Sequence, residues 1–335
     1  MTARLWPVGA ELTRGSRTNR PGLRVGRAVL NHSSQRMADS TDTTVRRAGR
    51  VDRLAENRYV QLLVTAGPVV VLEAVFFLGA LTIMLLIATW EMENFTLIQQ
   101  FNVGNFVEGV TKLQNVKAFR TTTVLATLST VTTAVVAFPV AYFIALHGGE
   151  YKNQLAALVI VPFWTNYVVR IFGWRSILSK DGILNNVLLG LGVVSEPLTF
   201  IINSRFAVYF GLVYLWLPFM ILPLYSSLEN IDRSLLEAAN DLGASRTQVF
   251  RHVVFPLSIP GLLAGTIFTF IFSMGSFVVP SLLGGGVPFV GTRIQYEFGY
   301  GADWPAGSAL GSILMFIVLL TLGLLIRHAD MEDIF

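Results

Sequence analysis

Two charges, Glu73 and Arg170, stand inside otherwise apolar stretches of this 335-residue chain. An ionisable side chain in such surroundings is costly, so each points to a function or to a paired partner. Glu73 lies about one turn into its stretch, where it can also snorkel to an interface or pair locally. Arg170 closes the string Pro162-Phe163-Trp164-Thr165-Asn166-Tyr167-Val168-Val169-Arg170, and helical spacing puts Trp164, Tyr167 and Arg170 near one face. That face reads either as an aromatic belt with a snorkelling arginine or as the lining of a passage. Aromatic faces attract organic cations whereas Arg170 repels them, which assigns Arg170 to bracing helices or a gate. Further on, Tyr296-Glu297-Phe298 and Asp303-Trp304 set acids beside aromatics. The pairing suits an amine, and solvated loop residues explain it nearly as well. Glu196 is the remaining acid of this kind.

Covalent chemistry finds no foothold. There is no cysteine, so disulfides and thiolate metal sites are excluded. The four histidines, His32, His147, His252 and His328, have no metal-ligand spacing. No nucleophile elbow, HExxH or Walker pattern occurs, and Gly284–Gly286 lacks the GK[ST] of a phosphate loop and reads as a turn. The expectation is a chain without catalytic residues, metal or bound cofactor.

The elements that must position these residues are membrane helices. Hydrophobic residues make up 53% of the chain and charged ones 14%, and the apolar residues cluster into long runs. Six spans are expected, at about 69–90, 123–146, 155–174, 206–225, 260–279 and 306–326. The second, fourth, fifth and sixth carry no Asp, Glu, Lys or Arg, and Pro139, Pro218 and Pro223 predict kinks. Asp181-Gly182 is a turn signal before a short interfacial helix over 183–191, and Asp303-Trp304-Pro305 reads as a helix start.

Ahead of the spans, twelve of the 25 basic residues are arginines before Val60. No folded or aromatic-interleaved platform accompanies them, so a disordered tail near anionic lipid is expected rather than a nucleic-acid site. Met37 opens a more ordinary-looking start, MADSTDTTVRRAGRVDRL, which makes it an alternative first residue. Basic residues divide almost evenly between the two sets of loops, and only the Arg-rich tail tips the balance towards both termini inside.

One polar stretch is built with unusual care. Ser234–Gly261, SLLEAANDLGASRTQVFRHVVFPLSIPG preceded by Arg233, lies between the fourth and fifth runs. Ser234-x-x-Glu237 and Ser245-x-x-Gln248 have the form of capping boxes, and Gly243 between them suits a helix C-terminus. The expectation is helix, glycine turn, helix, on which something docks.

Within it, Glu237-Ala238-Ala239, then Gly243, then Val253-x-Phe255-Pro256 resembles the EAA loop of ABC-importer permeases, with Val and Phe replacing the usual Ile and Leu. FPVAYFIAL, PFWTNYVVRIFGW, DGILNN and DWPAGSALGSILMF extend the likeness to the spermidine/putrescine permeases over roughly 58–327. Glu73 departs from that family's usual apolar first span. The resemblance implies an all-α, six-span type I importer permease in a bacterial inner membrane, with the loop and both termini cytoplasmic. It implies a second permease subunit, two cytoplasmic ATPases that use the ATP, and a periplasmic binding protein. It divides the chain into an Arg-rich tail (1–57), a first span and external loop (58–118), a five-helix core (119–327) with its loop at 229–258, and a C-terminal tail (328–335). Glu237, Ala238, Ala239, Asp241, Leu242 and Gly243 become the ATPase-docking residues. Trp164, Tyr167, Arg170, Glu297 and Asp303 remain the pathway candidates. Ferric iron, sulfate, opines or amino-acid-like solutes are alternative cargoes, and an independent secondary carrier is the rival class, disfavoured by the charge-free spans.

Overall fold

In hydrocarbon a backbone satisfies its own polar groups only as a helix or a closed barrel, and the long apolar runs are helical in the computed structural model, which describes residues 66–328. The Arg-rich tail expected over 1–57 and all but His328 of the C-terminal tail lie outside the described residues. By internal contacts the chain divides between Phe77 and Leu78. Of the first unit, the described part is the opening half of α1 (Gly67–Ala88), on which Glu73 is exposed. At 22 residues α1 is about 33 Å long, enough to cross a bilayer core of about 30 Å. It is apolar almost all round and open along its length, with a mean hydropathy of 2.6, as befits a lipid-facing helix.

The second unit begins with a hairpin, β1 (Glu91–Glu93) antiparallel to β2 (Thr96–Ile98) with Glu91 opposite Ile98. Asn94 and Phe95 turn it with φ of 50° and 60°, the mirror-image turn that matches strand twist. Then come α2 (Gly104–Thr111) and α3 (Leu113–Tyr142), which runs on through a π-turn to His147. The resulting 35-residue helix starts ten residues before the expected second span, because Leu113–Arg120 continues it outward as a polar extension.

The expected third span is broken. Helix α4 (Lys152–Ile160) tightens into a 3₁₀ turn at Val161–Trp164, and α5 (Tyr167–Leu178) with α6 (Ile183–Gly190) leaves at 87° to it. Pro162 has no N–H to continue the α ladder, Thr165 is extended (φ −97°, ψ 142°), and Asn166 accepts the Val168 N–H at 2.8 Å to cap the new helix. Among the described residues five helices are therefore long and apolar enough to cross a membrane, or six with the bent pair taken as one span.

Helix α7 (Arg205–Glu229) follows, capped by the Ser204 hydroxyl and continuous past Pro218 and Pro223. After the loop helices α8 (Arg233–Asp241) and α9 (Arg246–Val249), a π-turn at Phe250–Val254 leads directly into α10 (Phe255–Met274). The fifth span therefore runs from Arg246 to Met274, not from Pro260 to Val279. Pro256 falls in the first turn of α10, where a missing N–H costs little, and Gly275 ends the helix. Val279 belongs to α11 (Val278–Leu283). Helices α12 (Val290–Phe298) and α13 (Trp304–His328) complete the unit.

Helices α3, α7 and α10 form the centre. Between lipid-soluble helices there is little hydrophobic drive, so association relies on close packing of small residues. On α3 the buried positions include Ala126, Ser129, Thr130, Thr133, Ala137 and Ala141. Gly261 and Gly265 of α10 let its backbone approach α7: a Cβ on Gly265 would stand 2.6 Å from the Met220 sulfur, and one on Gly261 would meet the Pro223 carbonyl. Among the described residues three apolar clusters fill the space, one around Leu212, Leu215 and Phe289, one around Met220, Leu224 and Leu228, and a smaller one of Ala126, Phe270 and Met274. Lys152 joins α4 to the end of α7 through Glu229 at 2.7 Å. Buried Asn185 ties α6 to the following loop, accepting the Leu198 N–H at 2.8 Å and donating to the Ser179 carbonyl at 3.0 Å. A polar residue within the short helix expected over 183–191, it is a staple in the fold.

Candidate functional site

The polar loop is helix, turn, helix as its sequence requires, with one cap displaced. Asp232, not Ser234, caps α8, accepting the Ser234 N–H at 2.9 Å. That backbone hydrogen bond, with a second from the Ser234 side chain, holds the Asp232 carboxyl below its usual range. An acid two residues upstream outcompetes the serine because it also complements the helix dipole. At the far end Gly243 adopts φ +79°, with Ala244 N–H bonded to the Ala239 carbonyl (3.1 Å) and Gly243 N–H to that of Asn240 (2.9 Å). These two bonds are a Schellman closure. The Ser245–Gln248 capping box forms in both directions.

Helix α8 therefore has two faces. Glu237 and Asn240 look into an open cavity of about 700 Å³ shared with Tyr142, His147, Arg233 and Arg246. Ala239, Leu242 and Gly243 border a second of about 300 Å³ with Gln248 and His252. Ala238 and Asp241 are exposed, as are Leu235 (48%) and Leu242 (88%). Leu235, Ala238 and Leu242 follow i, i+3, i+7 and make one apolar stripe. Leu235 was missed by motif reasoning, though its spacing from Leu242 was available.

The second group surrounds the break in the third span. Trp164, 85% exposed, ends the 3₁₀ turn, whereas Tyr167 and Arg170 start α5, so the single face expected for these three does not exist. Arg170 instead holds its guanidinium 5.4 Å from the centroid of Phe163, and its Nε is sealed from solvent without a hydrogen-bond partner. Phe163 meets Phe219 at 5.0 Å, Phe219 meets Phe272 at 4.9 Å, and Trp216 meets Phe272 at 5.0 Å. The sequence signal for this array was the i, i+3 pair on α7 and the i, i+4 pair Phe268 and Phe272 on α10.

Glu297 and Asp303 form a third group with other duties. Glu297 is buried and paired with Arg293 at 2.5 Å; Arg293 Nε donates to Asn115 Oδ1 at 3.3 Å and lies 5.2 Å from the Tyr296 ring centroid. Burial pushes the Glu297 carboxyl up, against the pull of Arg293. Asp303 accepts the Ala306 N–H at 2.9 Å and opens α13. Glu196 is exposed in its loop. The acids placed beside aromatics by sequence are thus occupied within the fold.

Comparison with known proteins agrees with this architecture. Residues 120–329 match the family described as binding-protein-dependent transport system inner membrane component. The spermidine/putrescine transport system permease protein PotB of Haemophilus influenzae is 41% identical over 213 residues, 61% of this chain and 74% of that one. The inner membrane ABC transporter permease protein YdcU of Escherichia coli is 32% identical over 280 residues, 79% and 88% of the two chains. A chain of a bacterial alginate ABC transporter solved with its pentasaccharide-bound periplasmic protein superposes with a TM-score of 0.63 at 17% identity, covering 85% of this chain and 97% of that one, and shares the fold. This multi-pass helical chain belongs to the family of inner membrane components of binding-protein-dependent transport systems.

Proposed function

We propose that this chain is the permease subunit of an ATP-driven importer of polyamines, with spermidine and putrescine the favoured cargo. The observation that carries the cargo is the likeness to PotB, which reaches across 74% of that relative. In this reading the chain supplies half of the membrane pathway, a second permease the other half. Two ATPase subunits hydrolyse ATP on the cytoplasmic side, and a periplasmic binding protein delivers the solute. The core 119–327 carries the loop 229–258 on the cytoplasmic face, and both termini lie on that side.

Helix α8 is the coupling helix. The apolar stripe of Leu235, Ala238 and Leu242 enters a groove on the ATPase, and Leu242, almost wholly exposed, is its knob. Ala239 keeps the approach close, Gly243 fixes the angle at which the helix is presented, and Asp241 meets the ATPase rim. Glu237, which lines the same cavity as Tyr142, His147 and Arg246 of the neighbouring elements, acts between α8 and the permease body. Closure of the ATPase pair then moves α8 as a lever, and the core helices alternate between two discrete arrangements around a central passage. Trp164, Tyr167 and Arg170 line that passage. Non-helical backbone at membrane depth is tolerated only where protein or water covers it, and the break at 161–166, taken as the middle of a bent span, would need such cover. Glu297 and Asp303 act at its outer end by bracing α12 and α13.

The test is reconstitution of the chain with its neighbouring ATPase, second permease and binding protein in proteoliposomes. ATP-dependent uptake of labelled putrescine or spermidine is expected, with ATP hydrolysis stimulated by the loaded binding protein. Stimulation by sulfate-, iron- or opine-loaded protein instead would overturn the cargo, and uptake without ATP would overturn the class.

A further inference from the structure

We propose that Phe163, Phe219 and Phe272, backed by Trp216, form a cation-selecting aromatic station in the passage, which an ammonium group of the cargo crosses on the ring faces. This deepens the polyamine reading and rests on it. Three observations converge. First, the rings are one connected array bridging three elements that are separate in sequence: the 3₁₀ turn at the break, α7 and α10. Trp216 is packed behind Phe219 and Phe272 with its Nε1 sealed and without a partner, so it supports the array without offering a donor to solute.

Second, the rings are not buried away. Phe163, Trp216, Phe219 and Phe272 are each half-buried, and Phe268, 6.1 Å from Phe272, is 47% exposed. Two features turn this surface from lipid. The broken backbone beside Phe163 requires a watered or protein-covered setting, and so does the charge on Arg170. Third, the array already carries an organic cation, since the Arg170 guanidinium sits over Phe163. The negative faces of Phe219 and Phe272 offer the same attraction to an alkylammonium and none to an anionic or neutral solute. Arg170 is thus the resident cation at the end of a row that transported cations traverse, and it keeps Phe163 in place when the station is empty.

Ring fluorination tests this without altering shape. Phe219 and Phe272 are replaced one at a time by phenylalanine bearing one, two or three ring fluorines, which drain the negative face while leaving a ring of nearly the same size. Uptake of putrescine is measured in the assembled importer with saturated binding protein. The expected result is a stepwise fall in kcat/KM with each fluorine, reaching about 2- to 30-fold, with assembly of the complex unchanged. Phe219→Leu and Phe272→Leu should lose at least as much. Uptake that is flat across the fluorine series, or that falls only as assembled complex is lost, overturns the station and shows a packing role. Failure of the underlying reading looks different: the unsubstituted complex then takes up neither putrescine nor spermidine, and both proposals fall together.

Discussion

Gly243 offers the sharpest test of the lever, because its role is purely conformational. Its φ of +79° lies in the left-handed region, and a Cβ built there would meet nothing within 4 Å. Any effect of substitution therefore comes from the backbone, not from a collision. Holding a non-glycine residue in that region costs about 1–3 kcal/mol, towards the upper end for a β-branched side chain and least for asparagine. Helix α8 has nine residues and no buried side chain, so packing cannot compel the strained turn. The cost then falls on the Schellman closure itself, lowering the population of correctly presented α8 by a factor of about 5–150. ATP-driven uptake in proteoliposomes should follow the order Gly, Asn, Ala, Val, with Gly243→Asn near the parent and Gly243→Val nearly inactive. The Tm of the membrane subunits should hardly change, since a side chain at Gly243 meets nothing within 4 Å and displaces no residue of the apolar cluster against which Leu236 and Val249 pack. Equal activity of the Asn and Val variants, or losses that track Tm, would refute a turn-controlled lever.

Leu242→Ser removes the exposed knob and should weaken co-purification of the ATPase by about 1–3 kcal/mol, or 5- to 150-fold in Kd, while the permease subunits still assemble. Gly261→Leu drives a side chain into the Pro223 carbonyl and Ser227, and should destabilise the subunit by at least about 1–3 kcal/mol, read as a lower Tm in detergent. Glu297→Gln mimics the protonated carboxyl beside Arg293, so it should compare least favourably with the parent at low pH and gain on it as the parent's carboxyl ionises, read as Tm against pH. Its pH signature has a definite sign: the folded carboxyl is raised by burial, so its contribution is fully present below the usual carboxylate range near pH 4.3 and is lost as pH rises through the folded value. The parent should therefore lose stability relative to Glu297→Gln over that rise, and a gain instead would show that Arg293 outweighs burial.

What the sequence disclosed and what it withheld follow from range. Gly243, Ser245 with Gln248, and Asp303 are local devices whose partners lie within a few residues, and all three stand where their spacing put them. Asp232 shows the limit even there, since two adjacent candidates competed for one cap and the acid won. The break in the third span was also written locally, as a proline four residues before a capping asparagine. A hydropathy run conceals it, because Phe163 and Trp164 are as apolar as the helix they interrupt. The pairing of Glu297 was illegible for a different reason. Its burial partner Arg293 is on its own helix, but the chain that fixes both passes through Asn115, 178 positions away from Arg293 in sequence. No short window contains that.

The same reasoning explains why the aromatic array, rather than the acids, is the stronger place to look for selectivity. An acid that already holds an arginine can bind an ammonium only by releasing it, and the freed guanidinium must then find another partner in a half-buried site. A ring face has no such obligation. It attracts a cation without being neutralised by one, and it releases that cation without leaving a bare charge behind. A passage must let its cargo leave as readily as it lets it enter, so weak, repeated attraction along Phe219 and Phe272, beyond the Phe163 ring that Arg170 covers, serves transport better than one strong ion pair at Glu297. If so, Glu297→Gln should act mainly through stability and the fluorinated rings mainly through uptake. Measuring both quantities on both sets of variants separates the brace from the path, and a Glu297→Gln protein that keeps its Tm but loses uptake would reverse the assignment.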